Sequence, residues 1–327
     1  MKILLVTRSD DNDSVRMVAQ AIEDLGGTAY RLDTDHYPTQ VRLTSQFTPS
    51  KTLRQLNLPG GWLDLGEVSS LWYRRFFAGA RIPMELGDTR EPSVNEARRT
   101  LYGAIAGLEV LQVDPLSSVR RTDHKELQLI KAREFGLVIP RTLFSNDPIE
   151  VRRFYRELGG QMVTKMQSSF AIYRGQDELV VFTTPVQPAD LEDLSGLRFC
   201  PMTFQEWIPK AYELRSTVIG KRVFTARVLS QKNDLTAVDW RRDGIGLIEE
   251  WESQPLPPEV ESGLLRLTEF FGLNYAAADF VVAPDGTHYF LEINAGGEWF
   301  WLQRCLPLAE SMAELLMHKV ARVETRV

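Results

Sequence analysis

The chain has 327 residues, 43% of them hydrophobic and 25% charged, with a formal charge of −6. That balance describes a globular protein of two or three packed units with ample core, and it argues against a disordered chain or a general nucleic-acid binder, although arginine pairs recur from Arg74-Arg75 to Arg241-Arg242. Cys200 and Cys305 lack zinc or redox spacing and fit a reducing cytoplasm, and no apolar run reaches the ~20 residues that span a bilayer, so neither a signal peptide nor membrane insertion is expected.

In chain order, Lys2–Thr7 reads as a buried-type strand, 14–25 as an amphipathic helix ended by Gly26-Gly27, and 28–32 as a second strand, a βαβ opening that predicts a small parallel sheet. It lacks GxGxxG. A third strand is expected over Val68–Tyr73, running into Arg74-Arg75, then a helix over 98–109 and a strand over 110–113. A boundary falls near 115, at Asp114-Pro115. Asp123 and Glu126 predict a capping box for a helix running to Gly136. Next come a strand over 138–143, a helix from Pro148 to about Leu158, and a strand over 162–166. Strands dominate thereafter, except for helices over 263–271 and 308–320. The pattern is a mixed α/β (α+β) fold without repeats.

The most informative segment is 278–294. Alternating apolar residues flank Pro284-Asp285-Gly286, which predicts a β-hairpin with Asp279 opposite Glu292. Side-chain alternation adds Asn294 to their face and sends Phe280, Val282, Tyr289, Leu291 and Ile293 to the core face. Two facing carboxylates repel unless a cation lies between them, and a set of two acids and one amide oxygen suits Mg²⁺ shared with phosphate. A merely solvated polar face is the plain alternative.

Other residues each admit two readings. Lys125, in the first turn of its helix, opposes the helix dipole unless an anion is near; otherwise it is an exposed lysine. Lys165 interrupts an apolar strand, and an inward ammonium there needs a partner. In Phe204-Gln205-Glu206-Trp207-Ile208-Pro209 a strand stops at proline, leaving backbone groups that could read an adenine edge or simply end a strand. Glu213 and Arg215 share a strand face as site residues or as a surface ion pair, and Arg241, in Asp239-Trp240-Arg241-Arg242 ahead of Gly244, is a candidate phosphate fork.

As an ordered set over about 116–300, these residues resemble the ATP-grasp superfamily: lysine, strand lysine, Gln-Glu-x-Ile hinge, acid-x-Arg, arginine, then Asp and Glu-x-Asn. The resemblance implies an ATP-grasp fold with an N-terminal α/β pre-ATP-grasp domain over 1–115, a central subdomain over 116–208 and a C-terminal subdomain over 209–327 carrying the metal site. It implies Lys125, Lys165 and Arg241 on the ATP phosphates and Glu206 with the backbone of Trp207 and Ile208 on adenine. Glu213 would take the ribose, and Asp279, Glu292 and Asn294 the Mg²⁺.

Three stretches are similar to the graspetide (microviridin-type) peptide maturases: Val6-Thr7-Arg8 with the acidic run after it, Leu71–Arg75, and Glu292–Trp301, where Ala295 stands in place of the proline of many members. The family implies an ATP-dependent ligase in the cytoplasm, with a homodimer among the assemblies it allows, that activates Asp or Glu side chains of a ribosomal precursor peptide (leader plus acidic core) as acyl phosphates and closes ester or amide rings. Lys165, Arg215 and Arg241 would be the catalytic cations, Arg215 orienting the carboxylate or forming an ion pair with Glu213, and none of His36, His124, His288 or His318 is an evident base. Trp299 and Trp301 would wall the metal site or lie in the core. An ATP-grasp ligase adding a free amino acid such as glutamate is the alternative in the same class; a nucleotide sensor without turnover is the alternative in another. Neither nucleic acid nor membrane is an expected partner.

Overall fold

The computed structural model describes residues 1–167, 171–174, 177–180, 182–232, 236, 238–243 and 246–319. Gly244 and Val320, named above, lie outside them.

The opening βαβ pattern becomes a four-stranded parallel sheet in the order Thr28–Asp33, Lys2–Thr7, Val68–Tyr73, Leu111–Val113. The helix Ser14–Asp24 covers one face because Val15, Val18, Ala21 and Ile22 recur at three- and four-residue spacing and are buried together. The helix expected from Arg98 begins earlier, at Arg90, and runs to Ala106. A three-stranded antiparallel meander, Arg42–Phe47, Thr52–Leu58 and Gly61–Asp64, was not anticipated. Its strands are thinly apolar, and Phe47 and Trp62 stay exposed while Leu56, Leu58 and Leu63 are buried. The alternation Leu56-Asn57-Leu58 followed by Pro59-Gly60-Gly61 was the available signal.

After Pro115 a short helix, Leu116–Thr122, precedes the helix Lys125–Glu134. The predicted capping box does not form: His124 is the N-cap, without a side-chain cap, and Asp123 instead closes the preceding helix through its N–H to the Arg120 carbonyl at 3.2 Å. A four-stranded antiparallel sheet follows, ordered Thr184–Pro185, Met162–Lys165, Met202–Glu206, Thr142–Ser145. The strand expected over 138–143 therefore starts at Thr142, leaving only Val138 bridged to Tyr289.

The last sheet orders Glu252–Ser253, Arg222–Val228, Tyr212–Ile219, Tyr275–Val282 and His288–Asn294, all antiparallel. One face packs Leu214, Ala278, Phe280 and Phe290 on Leu264, Leu267 and Phe271 of the helix Pro258–Phe271, which starts at a proline five residues before the expected Gly263. Each such fully buried Leu or Phe contributes about 1.5–3 kcal/mol. The other face is shared. Near Ile219 and Tyr275 it joins a core with Ile3, Val18 and Trp72 of the first sheet and with the helix Leu308–Leu316, so the C-terminal segment returns to the N-terminal one. The rest of that face carries Glu213, Arg215 and Asp279. Among the described residues, no helix is long and apolar enough to cross a membrane.

Candidate functional site

The hairpin forms around Asp285-Gly286, where Gly286 takes φ +87°, a left-handed value suited to glycine. Asp279 pairs with Glu292 and Ala277 with Asn294 as expected. Beyond them a bulge breaks the simple alternation: Phe280 pairs with Phe290, so Leu291 opposes no residue. Phe290 takes the core position. Tyr289 and Leu291 turn instead toward Ile208, Val281 and Ala283, correcting their expected place in the core with Phe280, Val282 and Ile293. Leu291 thus lines, with Lys125, Phe144, Lys165, Gln205 and Glu292, a cleft between the two larger antiparallel sheets. Sequence alone did not disclose the bulge.

The chain itself supplies cations for the two acids. Arg215, paired across strands with Asp279, donates from Nη1 to Oδ1 and Oδ2 at 2.7 and 2.9 Å and from Nη2 to the Glu298 carbonyl at 2.9 Å. The alternative reading of Arg215, an ion pair with Glu213, is not formed among the described residues; Glu213 pairs with Lys210 at 2.6 Å, and Lys210 also donates to the Val238 carbonyl. Burial pushes the Glu213 carboxyl up, against the attraction of Lys210. Lys125 reaches Glu292 at 2.7 Å and the Asn294 side-chain oxygen at 3.0 Å, which answers the conflict its ammonium creates at a helix N-terminus. Burial alone would raise the Glu292 carboxyl, but Lys125 and Lys165 hold it down at about 2.

Lys165 is depressed chiefly by burial and also by Lys125, with Glu292 opposing. Its ammonium has no hydrogen bond or ion pair among the described residues, so the partner it calls for is a bound anion or the field of Glu292. Arg241 is clamped on Asp239 at 2.6 and 2.8 Å, and this bond keeps its guanidinium firmly charged; Asp239 also accepts the Thr183 amide at 3.2 Å. Arg241 lies within the electrostatic reach of Asp279 and Glu292.

At the strand end, Glu206 bonds Arg141 through both its backbone and its carboxylate. The Trp207 amide donates to the Gln161 carbonyl at 3.0 Å, whereas the Ile208 amide donates to no carbonyl among the described residues. Any base edge bound here would therefore meet the Trp207 carbonyl and the Ile208 N–H.

Sequence reasoning missed Gln128. Wholly buried, it accepts the Ile293 amide at 2.9 Å and donates to the Ile293 and Thr122 carbonyls at 2.8 and 2.6 Å, tying the Lys125 helix to the hairpin between Glu292 and Asn294. A polar residue standing between the partly buried Leu127 and Leu129 gives no signal of this kind. Both tryptophans join the same core. Trp299 is buried and stacks on Trp72 with centroids 6.5 Å apart, so it is core rather than a wall of the site, and Trp301 packs on Trp240 and Trp251.

Two carboxylates and an amide oxygen on one strand face, compensated by side chains long enough to move away, fit a hard divalent cation. Among the described residues there is no cluster of three or more His, Cys, Asp and Glu, so such a cation depends on Asn294 as its third ligand. Lys125, Lys165 and Arg241 around that face suit a polyphosphate.

The comparisons agree with this chemistry. Residues 2–120 match the family model described as the MvdD pre-ATP grasp domain. A RiPP-associated ATP-grasp ligase of Chryseobacterium gregarium, solved with ADP and a leader and core peptide, is 37% identical with TM-score 0.95, over 100% of this chain and 99% of that one. The macrocyclase MdnC of Microcystis aeruginosa, solved with the precursor peptide MdnA, is 43% identical with TM-score 0.87, over 97% and 100%. The macrocyclase MdnB of the same organism is 35% identical with TM-score 0.79, over 96% and 98%. No curated protein sequence matches the chain.

Proposed function

We infer the reaction from kinship as well as geometry, because this chain belongs to the graspetide-type ATP-grasp ligases, with an ATP-grasp fold behind a pre-ATP-grasp domain. It is an ADP-forming macrocyclase of a ribosomal precursor peptide. The observation that carries the reading is the convergence of Lys125, Lys165 and Arg215 on the Asp279–Glu292 pair. In this proposal the chain divides near residues 115 and 208, and the enzyme works in the cytoplasm.

ATP lies in the cleft. Its adenine sits beside Ile208 and Leu291 and bonds the Trp207 carbonyl and the Ile208 amide, with Glu206 fixing the strand end; its ribose hydroxyls donate to Glu213. Lys125, Lys165 and Arg241 hold the phosphates. Mg²⁺, held by Asp279, Glu292 and Asn294, would offset phosphate charge. Arg215 orients a peptide carboxylate so that its oxygen attacks the γ-phosphorus, the bond to ADP breaks, and an acyl phosphate forms. Arg215, Lys165 and Arg241 stabilise the charge that develops. A hydroxyl or amine of the same peptide then attacks the acyl carbon, losing its proton as phosphate departs, and the ring closes. Lys125, freed from Glu292 when a cation takes that acid, turns toward phosphate.

Ring closure within one chain is a net dehydration, so incubating the protein with ATP, Mg²⁺ and its precursor peptide is expected to yield a product lighter by about 18 Da per ring. A heavier product with free glutamate would instead identify an amino-acid ligase. Lys165→Ala is expected to weaken ATP binding by about 1.5–3 kcal/mol, the worth of a charge-assisted contact, measured by titration calorimetry. Unchanged affinity would return Lys165 to a purely structural role.

A further inference from the structure

Three stretches unused by this reaction meet at one point: the loop after the first strand, Arg74-Arg75 after the third, and Gly296-Gly297-Glu298 after the hairpin. The Glu298 carboxylate receives Arg75 at 2.6 Å, Arg74 at 3.3 Å and the Asn12 side-chain amide. Arg74, its side chain 1% exposed, is fixed in turn by Asp11 at 2.7 and 3.1 Å. All these partners lie in the two loops that follow strands Lys2–Thr7 and Val68–Tyr73 of the N-terminal sheet. The Glu298 main-chain carbonyl accepts from Arg215 Nη2 at 2.9 Å. At Gly297 a Cβ would lie 2.4 Å from Ala277 Cβ and 2.7 Å from Arg215 Nη2, so the loop is pressed onto that guanidinium.

We propose that Glu298 is a positioning residue through which the N-terminal domain sets the plane of the Arg215 guanidinium. A planar fork needs two anchors to fix its rotation. Asp279 holds Nη1, and Nε, buried and without a partner among the described residues, gives no anchor; the Glu298 carbonyl is the second. Fold stability is a poor account of three donors on one carboxylate, since the Glu298 side chain is 38% exposed and such pairs contribute little. The inference rests on the proposed reaction, in which Arg215 orients the substrate carboxylate.

Glu298→Ala is expected to lower kcat for peptide-dependent ADP formation roughly 10- to 100-fold, as misplacement of a reacting group does. The KM for ATP and the thermal midpoint should hold, and Glu298→Gln, which keeps an acceptor for Arg75, should recover part of the loss. In an Arg215→Lys background, where the fork is already gone, Glu298→Ala should cost less than about threefold. Equal factors in both backgrounds, or a loss seen only in the KM for ATP or the thermal midpoint, would overturn the relay. A crystal structure of Glu298→Ala gives a readout independent of turnover: a guanidinium rotated off the residue 298 carbonyl supports the relay, and an unmoved one refutes it. Wild-type protein inactive with peptide would count against the reaction alone.

Discussion

Glu292→Gln is expected to cut peptide-dependent ADP formation by roughly 10²–10³-fold, the scale of losing one preorganised electrostatic partner of a transition state. Folding should survive. Glu292 accepts from Lys125 at 2.7 Å and from the Asn294 amide at 3.2 Å, and a charge-assisted bond of this kind contributes about 1.5–3 kcal/mol against a typical total of about 5–15. The cations that the two facing acids call for are already supplied by the chain, since Lys125 and Arg215 compensate them. The substitution therefore leaves Lys125 and Lys165 facing each other without their shared anion. ATP, a polyanion, should bind the variant at least as tightly without Mg²⁺ as it binds the wild type, yet fail to react. Calorimetry without the metal and ADP release with it measure the two halves. Wild-type turnover in the variant would remove Glu292 from the metal site.

How much was legible from sequence depended on whether a residue's partner was local. The Asp279–Glu292 pairing follows from one turn signal and the two-residue period of a strand, so it could be read directly. Its continuation could not: the bulge at Leu291 is one extra residue that leaves no mark on alternation, yet it exchanges Phe290 for Leu291 in the core. The capping box failed because Asp123 and Glu126 have the right spacing around the wrong boundary, a preceding short helix having taken Asp123. Arg215 is legible as a site residue, but its sequence leaves it open between a substrate carboxylate and Glu213 on its own strand, whereas sheet pairing places Asp279 beside it from a sequence distance of 64 residues. Gln128 bonds the backbone of another segment and Glu298 meets Arg215 through its own main-chain carbonyl, and contacts of that kind have no composition or period to betray them.

Arg215→Ala is expected to abolish ring formation, again by roughly 10²–10³-fold, while leaving leader-peptide affinity intact. The stability cost should also be the largest of any single site substitution. Removing one member of a buried pair typically costs about 3–5 kcal/mol because the other charge is stranded. Asp279 keeps 23% side-chain exposure, so water can recover part of its solvation, and a loss of about 2–3 kcal/mol is expected in denaturant titration. Arg215→Lys separates charge from geometry. Its single ammonium can neutralise Asp279 and so restore most of the stability, but it cannot bridge both Asp279 and the Glu298 carbonyl as the fork does, and activity should remain low. If stability and ring formation recovered together, Arg215 would act as a charge and not as an oriented clamp. Loss of leader affinity with Arg215→Ala, measured by fluorescence anisotropy, would be as damaging. An acidic core meeting a chain of formal charge −6 gains nothing from the overall field, so recruitment has to rest on a docking segment distinct from the residue that holds the reacting carboxylate.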